Sequence, residues 1–168
     1  YREDLSDIQQ TYFQLAFARK PEYMERSTDT EFSIQNYREA DKRLAAYERI
    51  SAKAEAILNK LDKEAVPAFF QLVYYNVKGA ALVNQMTLNA QKNRLYASQK
   101  RSAANLLRSR VKAYGDSLEI ITKRYNSLLN GKWQGMMSLI HGGARSFERA
   151  RTDSVSLSPV PPLGVSCE

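Results

Sequence analysis

The chain has 168 residues, enough for one domain that buries a sizeable core. Its hydrophobic residues, 43% of the total, form no run long enough to span a membrane, and its single cysteine excludes a disulfide within the chain. The net charge of +7 indicates an acidic or polyanionic partner, or simply solvated basic helix faces.

Two amphipathic helices are predicted in the first third of the chain. A helix over residues 3–19, which Pro21 cannot continue, is predicted by apolar residues at helical spacing: Leu5, Ile8, Tyr12 and Leu15. A second helix shows a longer stripe with alternate steps of three and four: Tyr37, Ala40, Leu44, Tyr47, Ser51, Ala54, Leu58 and Leu61. We expect Ser33 to cap its start. Arg43 falls off the stripe, on the side expected to face water.

The most apolar stretch predicts a central, buried third helix. We expect it to start at Asp62, whose carboxylate would cap the first N–H groups, with Pro67 near the first turn. Residues 67–90 are apolar on most of the helix circumference, which is typical of a helix surrounded by others. Its polar members need partners in the bundle or at an interface: Gln71, Asn76, Asn84 and Gln85.

A fourth helical region covers residues 102–129. It repeats the same spacing at Leu107, Val111, Tyr114, Leu118, Ile121, Tyr125 and Leu128. Gly115 and Asp116 would kink or divide it. Asn130 and Gly131 would end it, because both tolerate a left-handed backbone.

Together these elements predict an all-α fold, an antiparallel bundle of four to five helices over residues 1–143. Residues 144–168 have alternating Ser, three Pro and no periodic apolar face. Such a segment cannot bury enough apolar surface to order itself, so we predict a disordered or irregular C-terminal tail.

The sequence contains no familiar catalytic or metal-binding motif. It lacks G-x-S-x-G and a Gly-rich phosphate loop, and one His with one Cys cannot furnish a tetrahedral metal site. The carboxylates fall on predicted exposed faces and loops, where ion pairs and caps explain them. We therefore expect no catalytic residue, metal or cofactor in this segment.

Residues 65–115 contain no acidic residue. They carry eight bases: Lys78, Lys92, Arg94, Lys100, Arg101, Arg108, Arg110 and Lys112. An acidic protein surface, a uronic-acid-bearing carbohydrate or nucleic acid would suit this charge, and a solvated helix face is the alternative. Nucleic acid has little other support, since no nucleic-acid-binding motif is present and four tyrosines fall on the apolar stripes: Tyr37, Tyr47, Tyr114 and Tyr125.

Two stretches of unusual composition hold the candidate functional residues. Residues 91–101, QKNRLYASQKR, mix amides and bases around Arg94 and Tyr96 at the end of the long apolar helix. These charges either satisfy free helix carbonyls or face a second domain or a carbohydrate. The stretch NGKWQGMMSLIHGG holds the only Trp and the only His. We expect Trp133, Met136 and Met137 to fold back and cap the bundle, and His141 to be structural or to face a missing domain.

Four strings in order resemble glycoside hydrolase family 115, the xylan α-1,2-glucuronidases. They are RKPE, FSIQNYREADKRLAAYERISAKAEAI, FFQLVYYNVKGAALVNQMTLNAQKNRLYASQKRSAAN and YNSLLNGKWQGMM, and NRLYASQ, NYREA and GKWxxMM are the most specific parts. Over residues 5–147 the chain is similar to the helical region that follows the catalytic barrel in that family.

The resemblance implies a large, multidomain parent enzyme that is periplasmic or secreted. Such an enzyme would remove glucuronic acid or its 4-O-methyl ether from xylan with inversion, using two carboxyl groups of the upstream barrel. The resemblance implies three partners: the barrel of the same polypeptide, glucuronoxylan and a second copy of the enzyme in a homodimer. It implies no binding to a membrane.

No catalytic residue carries over to this chain. The candidates for facing substrate or barrel are Arg94, Tyr96, Trp133 and His141. The sequence departs from the family pattern at Ala144 and Phe147, where Tyr and Trp are expected, and the later tail resembles nothing in the family. The alternative interpretation is a free-standing basic helical interaction module that binds nucleic acid or another polyanion.

Overall fold

The structure is a computed structural model, and it describes residues 1–24, 31–141, 144–145 and 150–156. Its elements in chain order are α1 (Arg2–Ala18), α2 (Pro21–Met24), α3 (Glu39–Leu58), α4 (Val66–Phe69), a π-helical segment (Phe70–Tyr74), α5 (Tyr75–Ser98), α6 (Ala103–Gly131), β1 (Ile140–His141) and β2 (Ala144–Arg145). Apart from the short antiparallel pair β1–β2, the secondary structure of these residues is helical, so the predicted all-α bundle is confirmed. None of the described helices is long and apolar enough to cross a membrane.

The loop before α3 differs from the prediction. Ser33 does not cap the helix, which begins at Glu39. Instead the Ser33 hydroxyl accepts a hydrogen bond from the Asn36 N–H at 2.7 Å, and the Ser33 N–H donates to the Glu39 carboxylate at 2.9 Å. The chain then turns through Tyr37 and Arg38, whose φ angles are 53° and 54°. This turn leaves Tyr37 84% exposed, so its predicted core position is wrong.

Arg43 of α3 is buried, which corrects the prediction that it faces water. Its guanidinium donates from Nε to Asn84 Oδ1 at 2.7 Å, from Nη1 to Leu15 O at 3.0 Å and from Nη2 to Arg19 O at 2.9 Å. The last two acceptors lie at the carboxyl end of α1, where Leu15 O also accepts from the Arg19 N–H at 3.2 Å. The planar guanidinium reaches all three acceptors. Its central carbon, Cζ, lies 4.6 Å from the Phe32 ring centroid.

The central helix is formed by α4, the π-helical segment and α5. It begins at Val66 rather than at Asp62, with Pro67 in the first turn as predicted. Asp62 contributes its backbone carbonyl, which accepts hydrogen bonds from the N–H groups of Ala65 and Val66. The helix has no side-chain cap. The α5 segment packs against both α3 and α6 and supplies more buried residues than any other described helix, as predicted for a central element.

The α6 helix passes through Gly115 without a break, so the predicted kink is wrong. Gly115 is buried, and helical dihedrals continue as far as Ser127. The predicted end is confirmed: Asn130 and Gly131 adopt left-handed φ angles of 58° and 80°.

The segment that follows α6 folds back onto the bundle. The Asn126 side chain holds it, donating to the Met137 carbonyl at 2.6 Å and accepting from the Met137 N–H at 3.1 Å. Trp133 and Met137 pack against the main hydrophobic core, as predicted, whereas Met136 is 60% exposed.

Residues 150–156 have no helix or strand, which agrees with the predicted irregular tail. They nevertheless lie against α5 and α6. Ala150 packs on a small second core formed by Met86, Ala90 and Val111. The domain boundary after Gly143 stays a prediction.

Candidate functional site

Two cavities lie near opposite ends of α5, and we name each by one lining residue. The Arg94 cavity is near the carboxyl end of α5 and the Tyr75 cavity is at its amino end. With a rise of about 1.5 Å per residue, the two residues are roughly 28 Å apart along the helix axis. The predicted candidates Arg94 and Trp133 therefore belong to different ends of the bundle, since the segment after Trp133 lines the Tyr75 cavity.

The Arg94 cavity has a volume of about 540 Å³ and opens between the loop before α3 and one face of α5. Its lining is Ser33, Ile34, Gln35, Asn36, Gln91, Arg94, Leu95 and Ser98. The Ser33 hydrogen bonds to Asn36 and Glu39 set the loop that forms one wall. Hydroxyls, amides and one guanidinium suit a polar or anionic ligand, and the lining residues include no carboxylate.

Tyr96 does not line this cavity and is covered by its own chain. The Arg101 guanidinium lies 3.7 Å from the Tyr96 ring centroid, and Lys92 Nζ lies 5.8 Å from it. Lys92 also pairs with Asp41 at 3.5 Å, which ties this end of α5 to α3. Tyr96 thus acts as a platform for two cations of the chain.

The Tyr75 cavity has a volume of about 350 Å³ and is formed by α1, α2, α5, α6 and residues 137–139. Its lining is Tyr12, Pro21, Glu22, Tyr75, Asn76, Gly79, Ala80, Val83, Leu118, Met137, Ser138 and Leu139. The Tyr75 hydroxyl lies 3.1 Å from Thr122 Oγ1, and its ring centroid is 4.8 Å from that of Tyr125. The sequence did not indicate this site, because Pro21 was interpreted as ending the first helix and Glu22 appeared only in the family-like string RKPE.

Two tyrosine hydroxyls of the Tyr75 cavity are protonated at neutral pH. Burial raises the pKa of Tyr12 and Tyr75, so both hydroxyls stay protonated. Burial likewise raises the pKa of Tyr47 to about 12 in the core nearby. Glu22 is the one carboxylate among the described residues that line the two cavities. Inverting glycoside hydrolysis uses a pair of carboxyl groups, which these linings do not supply.

The other two sequence candidates are placed only in part. The Trp133 indole Nε1 is buried and has no hydrogen-bond acceptor within the described ranges. His141 belongs to β1, where its backbone pairs with Ala144 in β2, and its side chain lies outside the described part of the molecule. Among the described residues, no group of three or more His, Cys, Asp or Glu is placed to hold a metal ion.

The acid-free stretch divides into paired and unpaired bases. Lys78 Nζ lies 3.9 Å from Glu55 Oε2, and Lys92 Nζ lies 3.5 Å from Asp41 Oδ1. Five exposed bases around the α5–α6 turn and on the first half of α6 have no carboxylate partner in the described ranges: Lys100, Arg101, Arg108, Arg110 and Lys112. We call them the basic end of the bundle.

An exposed aromatic pair on α1 was not anticipated from the sequence. Phe13 is 66% exposed and Phe17 is 96% exposed. Residues four apart share a helix face, so the two rings form one apolar surface. The sequence could have predicted this surface. Phe13 and Phe17 do not belong to the apolar stripe of α1, so they form a second apolar face that the core does not cover.

Comparison with solved structures gives an informative match. No protein-family model and no curated protein matches the sequence. A solved structure of a family GH115 4-O-methyl-α-glucuronidase, with specificity for decorated arabinogalactans, superposes on 98% of this chain with a TM-score of 0.72 and 28% sequence identity. The match covers 22% of that enzyme's chain. The bundle therefore has a GH115-like fold.

Proposed function

We propose that this chain is the helical domain of a glycoside hydrolase of family 115. The observation that carries the proposal is the superposition on a GH115 4-O-methyl-α-glucuronidase over 98% of this chain. It agrees with the ordered strings of family-like sequence in residues 5–147. Because the matched part is 22% of that enzyme, the proposal assigns catalysis to a barrel elsewhere in the same polypeptide.

The role proposed for the bundle is to dock on that barrel and support it. The exposed Phe13 and Phe17 form an apolar contact surface of the kind that a neighbouring domain covers. The basic end offers exposed cations, which have no carboxylate partner among the described residues, to an acidic surface of the barrel or to a uronic-acid-bearing polysaccharide. Both surfaces consist of residues that the bundle leaves exposed.

The reaction proposed for the parent enzyme is removal of glucuronic acid, or its 4-O-methyl ether, from a polysaccharide. Two polysaccharides are candidate substrates: the family resemblance indicates xylan, whereas the matched enzyme is specific for decorated arabinogalactans. We propose that the parent enzyme acts outside the cytoplasm, where such polysaccharides occur, and as a homodimer.

The reading frame that precedes Tyr1 in the genome tests this proposal. A frame that continues upstream into a (β/α)-barrel coding region supports a hydrolase. A start codon directly before Tyr1, with a promoter next to it, would overturn the assignment.

A second candidate function is a free-standing module that binds nucleic acid or another polyanion. The five unpaired bases of the basic end are the observation that favours it. Counterion release predicts that DNA affinity would then fall steeply with salt concentration. Weak DNA binding that does not change with salt would exclude this function.

A further inference from the structure

Residues 150–156 lie in the groove between α5 and α6. Ala150 packs on the second core, and the main chain then passes the side chains of Asn93 and Asn105. We call residues 151–155 the strap and the surface beneath it the strap groove.

Two asparagine side chains bind the strap in the same bidentate way. Asn93 donates from Nδ2 to Asp153 O at 2.9 Å and accepts from the Asp153 N–H at 2.8 Å. Asn105 does the same with Val155, at 2.9 Å for both bonds. An antiparallel β-strand pairs with its neighbour by exchanging both backbone bonds of one residue. The two side-chain amides therefore imitate a strand partner.

A third contact extends the pattern. Arg94 Nη1 donates to Arg151 O at 2.6 Å. The bound residues are thus 151, 153 and 155, which matches the two-residue period of an extended chain. All these hydrogen bonds end on main-chain atoms of the strap. Ser154 and Ser156, between and after the bound residues, are exposed.

Asn93 is a built part of the groove rather than a surface side chain. It is completely buried, and its Nδ2 also donates to Ala104 O in α6 at 2.8 Å. With the strap in place, its amide nitrogen and its side-chain oxygen are both bonded. Buried polar groups in folded proteins have hydrogen-bond partners, and the strap supplies those that the Asn93 side chain does not find in α6.

We propose that the strap groove is a peptide-binding site that holds an extended segment by its main chain, and that its occupant is this chain's own strap. Recognition of main-chain atoms makes the site tolerant of the strap's side chains. It also fixes the course of the chain along the bundle beyond β2. The proposal is independent of the assignment to a glycoside hydrolase.

Amide hydrogen exchange on the full chain tests the alternation directly. We expect the N–H groups of Asp153 and Val155 to exchange about tenfold more slowly than that of Ser154. The Ser154 N–H has no acceptor in the described ranges, whereas the other two donate to Asn93 and Asn105. Equal exchange rates at the three residues would overturn the proposal.

Proline substitutions offer a matched pair of variants. Val155→Pro removes the N–H that Asn105 accepts, whereas Ser154→Pro removes an N–H without a described partner. We expect Val155→Pro to abolish protection of the Asp153 N–H and Ser154→Pro to retain it. An identical loss in both variants would contradict recognition at alternate residues.

A second pair of variants changes the groove instead of the strap. Asn105→Ala is expected to remove protection at Val155. Asn89→Ala is its control, because Asn89 donates to Gln85 O in its own helix.

The strap side chains are tested by Thr152→Ala combined with Ser154→Ala, which should leave all protection unchanged. A loss of protection would mean that the groove recognises side chains and would contradict main-chain recognition. Protection that falls on dilution would place a second copy's strap in the groove and overturn the assignment of the occupant.

Discussion

The Arg43 guanidinium donates a hydrogen bond to Asn84 Oδ1 at 2.7 Å across the centre of the bundle, joining α3 to α5. The same guanidinium holds the end of α1 through Leu15 O and Arg19 O. Its environment lowers the Arg43 pKa, chiefly because burial disfavours the charge. One side chain thus fixes three helices, at the expense of burying a cation.

Replacing Arg43 is therefore expected to destabilise the bundle strongly. Arg43→Ala removes the guanidinium donor from buried Asn84 Oδ1 and from the part-buried carbonyls of Leu15 and Arg19, and we expect a loss of about 3 kcal/mol in the free energy of unfolding. Arg43→Lys should recover only part of the loss, because one ammonium cannot reproduce the planar fork. Urea denaturation provides the measurement. Arg110→Ala, at an exposed position of α6, is the control, and a change as small as that of Arg110→Ala would contradict the role of Arg43.

The ion cluster between α1 and α3 predicts how stability depends on pH. Hydrogen bonds from Arg49 and Lys53 lower the pKa of Asp7 below its ordinary 3.8. Because the folded pKa is depressed, this stabilisation is present above pH 3.8 and is lost as the pH falls through the folded pKa. The Asp7 hydrogen bond raises the pKa of Lys53 above 10.5. The stabilisation by the Lys53 ion pair is therefore complete below pH 10.5 and is lost as the pH rises through the folded pKa.

Asp7→Asn should remove the acid-side part of this dependence. We expect the variant to be less stable than the parent at neutral pH and to approach it below pH 3.8. Urea denaturation at each pH measures the difference. Glu3→Gln, which removes an exposed carboxylate from the same helix, should show no such convergence. A constant difference between Asp7→Asn and the parent at every pH would refute the account.

The hydrogen bonds between Asn126 and Met137 predict a fluorescence change, because Trp133 is the only tryptophan in the chain. Asn126→Ala releases the segment that carries Trp133 against the core, and its emission should shift to the red. Ser127→Ala is the neighbouring control, since Ser127 Oγ donates to Arg124 O in its own helix. Identical spectra for the parent and Asn126→Ala would show that these bonds do not hold the segment.

If the proposed barrel docks on the aromatic pair of α1, that pair should matter only in a polypeptide that contains both domains. Phe13→Ser with Phe17→Ser should change the stability of the 168-residue chain by less than about 0.5 kcal/mol, because both rings are exposed. In the whole polypeptide the same double variant should lower the melting temperature. Gln10→Ser with Gln14→Ser, also exposed and four residues apart, is the control. An unchanged melting temperature would argue against docking through this face.

Much of the fold was predictable because helical periodicity records which residues meet the core. The stripe of α3 identified Tyr47 and Ala54 correctly, and the apolar circumference of residues 67–90 identified the central helix. Periodicity failed at Tyr37, where a left-handed turn intervenes. It also failed at Arg43, where three tertiary hydrogen bonds outweigh the preference of a charge for water.

The sites were harder to predict than the helices. The strap docks through main-chain atoms, which no residue pattern reveals, and its only signal was the two amides that contact it, Asn93 and Asn105. The Tyr75 cavity joins residues from α1 to the segment after α6, so its lining depends on tertiary packing. Arg94 was a candidate because its string departs from the apolar helix around it, and its functional role stays a prediction.

The most direct test of the central claim is an assay of the whole polypeptide encoded by the reading frame that contains Tyr1. It would be incubated with glucuronoxylan and with a glucuronic-acid-decorated arabinogalactan, and the released uronic acid would be quantified by chromatography. We expect glucuronic acid or its 4-O-methyl ether to appear from at least one polysaccharide, with inverted anomeric configuration by NMR. No release from either polysaccharide by the folded polypeptide would contradict the account.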